Sequence, residues 1–227
     1  RKRYRAAART PLPRGTAAGE LEQIIERRRS CRAFGDGPVA LGDVAAVMRL
    51  AAGETARADE ATGRPRAFRA APSAGALFPL EVYLVSDHVE DLARGVHRYD
   101  PADHLLECID ATSRLPQAIA ATGMDELASA AAVIVLTAIP ARSRLKYGER
   151  AYRFILLEAG HVAQNVLLAA EGLGLAACAV GGFVDDELDA VIGIDGVDEI
   201  SLYAIALGRP KPLALEVLAS GNGHTAR

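Results

Sequence analysis

The stretch from Glu149 to Gly174, ERAYRFILLEAGHVAQNVLLAAEGLG, constrains this chain more than any other. Its pattern predicts a long helix over residues 149–173 that is apolar nearly all round and must therefore be buried. What surrounds it is also legible. LEVYLVS at 80–86 reads as a strand, and AAVIVLTAI at 131–139, LAACAVGGF and ISLYAIALGRP read as buried core strands. GVHRYDPADHLLECI reads as a hairpin whose turn opens at Asp100-Pro101. AGELEQIIERRRS predicts a helix with Leu21, Ile24 and Ile25 on one face, and LGDVAAVMRLAAG a second that ends at Gly53. SRLPQAIAATG, MDELASA and DDELDAVIG predict short helices, the last with acids in its first turn, where the helix dipole favours them. ETARADEATGRPRAFRAA has no usable period and predicts a mobile loop. The interleaved order predicts a sheet with helices on both faces.

With 227 residues, 50% of them hydrophobic, the chain can build one large core. The expected organisation is a basic arm at 1–19, a single domain at 20–212 and a tail at 213–227. A net charge of −3 argues against a general nucleic-acid binder. Without an unbroken apolar run of ~18 residues, no membrane span is expected. The basic start, RKRYRAAARTPLPRG, has no apolar core of a secretory signal. Cys31, Cys108 and Cys178 show neither metal-ligand nor C-x-x-C spacing, so no metal is expected and a reducing, cytoplasmic location is.

Several stretches carry candidate chemistry. In RRRSCRAFGDGP, Arg27, Arg28, Arg29 and Arg32 crowd the end of a predicted helix, which makes the cluster either a solvated helix end or an anion holder. Glu158, His161 and Asn165 share a face of the long helix, beside Gln164, and a buried polar stripe of this kind needs partners. Pro72, Ser73, Ala74 and Gly75 form a small-residue loop that lets backbone approach something closely. Gly181 and Gly182 follow a buried strand, where bare N–H groups can face a ligand or simply make a tight turn. Arg209 places a cation at the end of the last strand. Lys146 and Tyr147 are adjacent, with Arg142, Arg144, Arg150 and Arg153 nearby. Partial burial among those cations would disfavour a charged lysine and suit it as a general base, whereas an exposed cationic loop would have no such role. Neither G-x-G-x-x-G after a strand nor a P-loop is present.

RRSCRAF, PSAGALFPLEVYLV, EAGHVAQNVLLAAEGLGL, GGFVDDEL and LYAIALGRP occur in this order from about residue 20 to 211. Together they resemble the FMN-dependent nitroreductase superfamily. PSAGALFPLE and EAGH-x-x-QN are similar to its streptolysin-S-type azoline dehydrogenase branch, which oxidises peptide thiazolines and oxazolines to thiazoles and oxazoles. The resemblance implies an α+β fold, a three-layer α/β/α sandwich with a central mixed sheet, in an intertwined homodimer that holds FMN at its interface. Carried over, the motif Arg28-Arg29-Ser30-x-Arg32 touches the flavin: Arg28 at the phosphate, Ser30 at the ribityl or phosphate region, Arg32 at the N1/O2 edge. Arg209 adds a second phosphate cation. Pro72, Ser73, Ala74 and Gly75 contact flavin from the partner chain. A backbone N–H of Gly181 or Gly182 points at N5, although many members carry Glu where this chain has Gly181. Gln164 and Asn165 become flavin or interface contacts. Lys146 and Tyr147 match a catalytic pair of the azoline branch, with Lys146 as base and Tyr147 polarising the ring nitrogen or relaying a proton. The implied partners are an azoline-containing peptide and a cyclodehydratase or carrier protein. The alternatives are an NAD(P)H-dependent nitro or quinone reductase, and a non-catalytic dimeric scaffold subunit of a peptide-modifying complex.

Overall fold

The computed structural model describes residues 11–12, 19–59 and 65–211. Nearly all of the basic arm and the whole expected tail lie outside the described residues.

The core strands are β4 (Leu80–Ser86), β5 (Gly95–Asp100), β6 (Leu105–Asp110), β7 (Ala132–Ala138), β8 (Ala176–Val180) and β9 (Ile200–Pro210), with a two-residue β1 (Phe34–Gly35). They form one seven-stranded sheet in the order β1-β9-β7-β4-β5-β6, with β8 also paired to β9. Alternation along each strand divides the core into two layers. Val82, Leu84, Ile134, Leu136, Ile205 and Leu207 face α2 (Leu41–Ala52) and α5 (Ala151–Gly172). Their neighbours Tyr83, Val85, Val133, Val135, Ala204 and Ala206 face α3 (Leu115–Ala121) and α6 (Asp185–Ile192). The expected three-layer α/β/α arrangement follows directly from this period of two. The sheet's ladders are antiparallel throughout, and the parallel pairing among the described residues is an isolated Val39–Val89 bridge.

Two expectations need correction. The predicted loop after Gly53 contains β2 (Glu54–Asp59) and β3 (Pro65–Arg69), paired antiparallel; residues 60–64 lie outside the described residues. This ribbon shows no period because it has no core-facing stripe: Thr55, Ala56, Arg57 and Ala58 are all exposed. Backbone pairing and the Thr55 hydroxyl donating to the Phe68 carbonyl at 3.2 Å hold it. The long helix is buried on only one side of this chain. Ile155, Ala159, Val162 and Val166 are in the core, but Tyr152 is 66% and Leu157 54% exposed. The expected first helix is present as α1 (Glu20–Arg27); in the single chain it buries none of its residues, and its Leu21 and Ile25 are exposed.

Candidate active site

Lys146 and Tyr147 end α4 (Ala141–Tyr147), a helix not foreseen in the sequence, and Gly148 at φ +54° breaks the chain before α5. The expected small-residue loop lies directly against them. A Cβ placed on Gly75 would stand 2.7 Å from Tyr147 Oη and 2.8 Å from Lys146 Nζ. Gly75 has φ +65°, so both its backbone conformation and its missing side chain are needed there. Ala76 and Phe78 also have positive φ, 52° and 45°. Non-glycine residues held in this region mark a strained loop over-determined by its surroundings.

What holds the loop comes from three elements. The Phe78 amide donates to Ser73 Oγ at 3.0 Å. Arg142 of α4 donates to the Phe78 carbonyl at 3.1 Å and pairs with Glu81 at 2.6 Å, which ties the loop to the helix that carries Lys146. Arg69 of β3 places its guanidinium 4.6 Å from the centre of the Phe78 ring, and its buried Nε has no hydrogen-bond partner among the described residues. Glu158 of α5 is 5% exposed. Desolvation pushes its carboxyl up to about 7, against the opposing pull of Ser73 and Arg69. Arg69, Arg142 and Phe78 carried no sequence signal of a role. Glu158 did, as part of the polar stripe.

Because the folded chain binds this proton more tightly than the unfolded chain, stability is lost as pH rises from about 4.5 to about 7. Glu158→Gln removes that loss. The variant is expected to be more stable than wild type by on the order of 2 kcal/mol near pH 8 and equally stable below about pH 4, measured by urea unfolding.

The partial burial proposed for Lys146 is absent in the single chain, where the residue is exposed. Its cationic neighbours are also partly neutralised: Arg142 pairs with Glu81, and Arg144 with Glu149 at 2.9 Å. The cations therefore do not make the environment expected. Tyr147 is half-buried, its ring 4.8 Å from that of Phe154 at an edge-on 68°.

The arginine cluster forms a second group at the other end of the chain's fold. The Cys31 amide donates to the Ala177 carbonyl of β8 at 2.9 Å, and Gly35 pairs with Arg209. These contacts place 28–35 along β8 and β9. Arg29 donates to the carbonyls of Glu26 and Arg28 at 2.7 and 2.8 Å, the helix-end role. Arg28 and Arg32 have no ion pair among the described residues. Arg209 donates to the Pro38 carbonyl at 2.6 Å and stands 4.0 Å from Glu90. Gly181 and Gly182 are exposed just past β8, and nothing stands within 4 Å of a Cβ on Gly182. From Ala177, beside Cys31, to Gly181 is ~13 Å at the rise of a strand. Cations at one end and bare glycines at the other suit an elongated anion with a flat ring, which is the chemistry of FMN. On the long helix, Gln164 is exposed and Asn165 half-buried. Among the described residues no hydrogen bond or ion pair joins the Lys146 group to the arginine group.

A nitroreductase family model matches residues 25–209, a span that holds both groups. The chain belongs to the nitroreductase family. Across 191 residues it is 35% identical to MJ1384, a nitroreductase-like protein of Methanocaldococcus jannaschii, covering 84% of this chain and 91% of that one. It is 30% identical over 130 residues to the microcin B17-processing protein McbC of Escherichia coli, covering 55% of this chain and 48% of McbC. Among solved structures, a nitroreductase-like protein of Ralstonia eutropha matches with TM-score 0.69 and 26% identity, covering 88% of each chain. The Escherichia coli microcin synthetase McbBCD complex, solved with a truncated pro-microcin bound, matches with TM-score 0.67, covering 91% of this chain and 79% of that one. At 20% identity this last likeness is one of fold. The same holds for a Desulfovibrio desulfuricans family member solved with FMN, at TM-score 0.58 and 21% identity, covering 93% and 92%.

Proposed function

We propose that this chain is an FMN-dependent azoline dehydrogenase that oxidises thiazoline or oxazoline rings in a peptide to thiazoles or oxazoles. The observation that carries the reading is the packing of Lys146 Nζ and Tyr147 Oη against Gly75, two motifs of the azoline branch meeting at one point. Similarity to a microcin-processing protein supports a peptide substrate. Two copies form a homodimer, in which the arginine half-site of one chain meets the Lys146 half-site of the other. The exposed apolar residues of α1 and α5, Leu21, Ile25, Leu156 and Leu157, are the surface such pairing would cover.

Arg28, Arg32 and Arg209 hold the FMN phosphate and ring edge, with Ser30 between them and the Gly181–Gly182 amides at the far end. When bound, FMN supplies the acceptor for the hydride that leaves the ring carbon derived from the residue's β-carbon. Lys146 takes the proton from the adjacent former α-carbon at its Nζ, which requires the neutral amine. Tyr147 hydrogen-bonds the ring nitrogen through Oη. Docking of the second chain and the peptide excludes water from Lys146, the burial that the single chain lacks.

Replacing Arg28 and Arg209 together by Ala is expected to lower FMN affinity by about 10²-fold, since charge-assisted contacts to phosphate contribute most to its retention. The ratio of flavin absorbance to protein after gel filtration measures this; full occupancy would remove the phosphate assignment. A second reading, an NAD(P)H-dependent nitro or quinone reductase, is favoured by the near full-length likeness to MJ1384. It predicts rapid flavin reduction by NADPH without any azoline.

A further inference from the structure

We propose that Arg142 is a positioning residue for Lys146 and Tyr147, clamping α4 to the Ser73–Phe78 loop through a guanidinium that buried Glu81 holds in place. This rests on the reading of Lys146 and Tyr147 as the reacting pair. Arg142 and Lys146 stand four residues apart on α4, about one turn, and so share a face of it. Both meet the same loop. Arg142 Nη1 donates to the Phe78 carbonyl at 3.1 Å, and a Cβ on Gly75 would lie 2.8 Å from Lys146 Nζ. Two contacts one turn apart fix both the distance and the register between helix and loop. A further tie, the Ile139 amide donating to the Pro79 carbonyl at 2.8 Å, closes the junction on the strand side.

Glu81 of β4 is 7% exposed. A buried carboxylate is costly unless paired, and both of its oxygens face cations. Oε1 lies 2.6 Å from Arg142 Nη1, and Oε2 accepts from Arg98 Nε of β5 at 3.0 Å. Arg98 is held on its far side by Glu107 of β6, at 2.6 Å. The row Glu107, Arg98, Glu81, Arg142 therefore runs from the edge strand of the sheet to the loop. Ala76 and Phe78 hold positive φ, so the loop needs contacts from outside to keep its conformation. Arg142 supplies such a contact from the helix that carries the reacting pair.

The test compares the FMN-loaded wild type, Arg142→Ala, Arg142→Lys, Lys146→Ala and the double alanine variant on a thiazoline peptide. Hydrogen exchange is followed at the Ala76 and Phe78 amides, which donate to the Ser73 carbonyl and hydroxyl. Arg142→Ala leaves Glu81 paired with Arg98, so no buried carboxylate is orphaned. It is expected to lower kcat about tenfold with KM within about twofold. Exchange at the two loop amides should speed about tenfold, while the β4–β7 ladder keeps wild-type protection. Arg142→Lys should recover most of kcat, because both contacts come from one terminal nitrogen and an ammonium can donate to both. The double variant should lose much less than the product of the two single losses, because Arg142 acts through the placing of Lys146. Wild-type kcat in Arg142→Ala, unaltered exchange at both loop amides, or equal speeding across the ladder would overturn the proposal. So would a lysine variant no better than alanine, or fully multiplicative losses. Absence of azoline turnover in the wild type would instead remove the proposed function. Exchange at the loop amides, which needs no substrate, would then still decide whether Arg142 clamps the loop.

Discussion

Lys146→Ala is expected to lower kcat for azoline oxidation by about 10²–10⁴-fold, the usual contribution of a positioned general base. KM for the peptide should change little, because the proton is taken only in the transition state. Lys146→Arg should not rescue, since a guanidinium stays protonated. FMN content should match wild type, because Lys146 lies on α4 and the arginine half-site is built on 28–35 and β9. Steady-state kinetics followed by mass spectrometry of the peptide, with flavin content measured on the same samples, checks both parts. Turnover at the wild-type rate in Lys146→Ala would move the base elsewhere.

Gly75→Ala should be nearly as damaging, for a different reason. The new methyl would lie 2.7 Å from Tyr147 Oη and 2.8 Å from Lys146 Nζ, closer than carbon tolerates. Lys146 is a flexible, exposed side chain and can swing away; Tyr147 is half-buried against Phe154 and has less freedom. The clash is therefore relieved mainly by displacing the lysine, the proposed base. A displacement of about 1 Å is expected to cost about 10²-fold in kcat. An alanine at φ +65° adds a conformational penalty of about 1 kcal/mol to folding. Urea unfolding and kcat measured on one preparation separate the two effects: stability should fall slightly, and turnover much more.

The central strands β4 and β7 were readable because they are buried on both faces and appear as continuous apolar runs, as in AAVIVLTAI. The β2–β3 ribbon was not, because paired strands with exposed side chains carry no hydrophobic period. The long helix was read as buried all round, and a single chain buries only one side of it. Sequence pattern reports that a face is apolar, and the covering surface can belong to another molecule. Within the site, Ser73, Gly75, Lys146 and Tyr147 were each identifiable as motif residues. Their meeting was not, because a long stretch of chain, including several sheet strands, separates the loop from α4. The cationic neighbours of Lys146 misled in a similar way, since Arg142 and Arg144 find their acids at Glu81 and Glu149 only in the fold. Glu158 was visible as one member of a polar stripe. Its burial, while His161 on the same helix remains exposed, is set by the fold and not by the stripe.

The most direct test of the central claim is anaerobic mixing of the FMN-loaded protein with a thiazoline peptide and, separately, with NADPH, followed by flavin absorbance. The account predicts rapid bleaching by the peptide, with the recovered peptide two hydrogens lighter, and only slow bleaching by NADPH. Rapid bleaching by NADPH with none by the peptide would contradict it and make the chain a reductase.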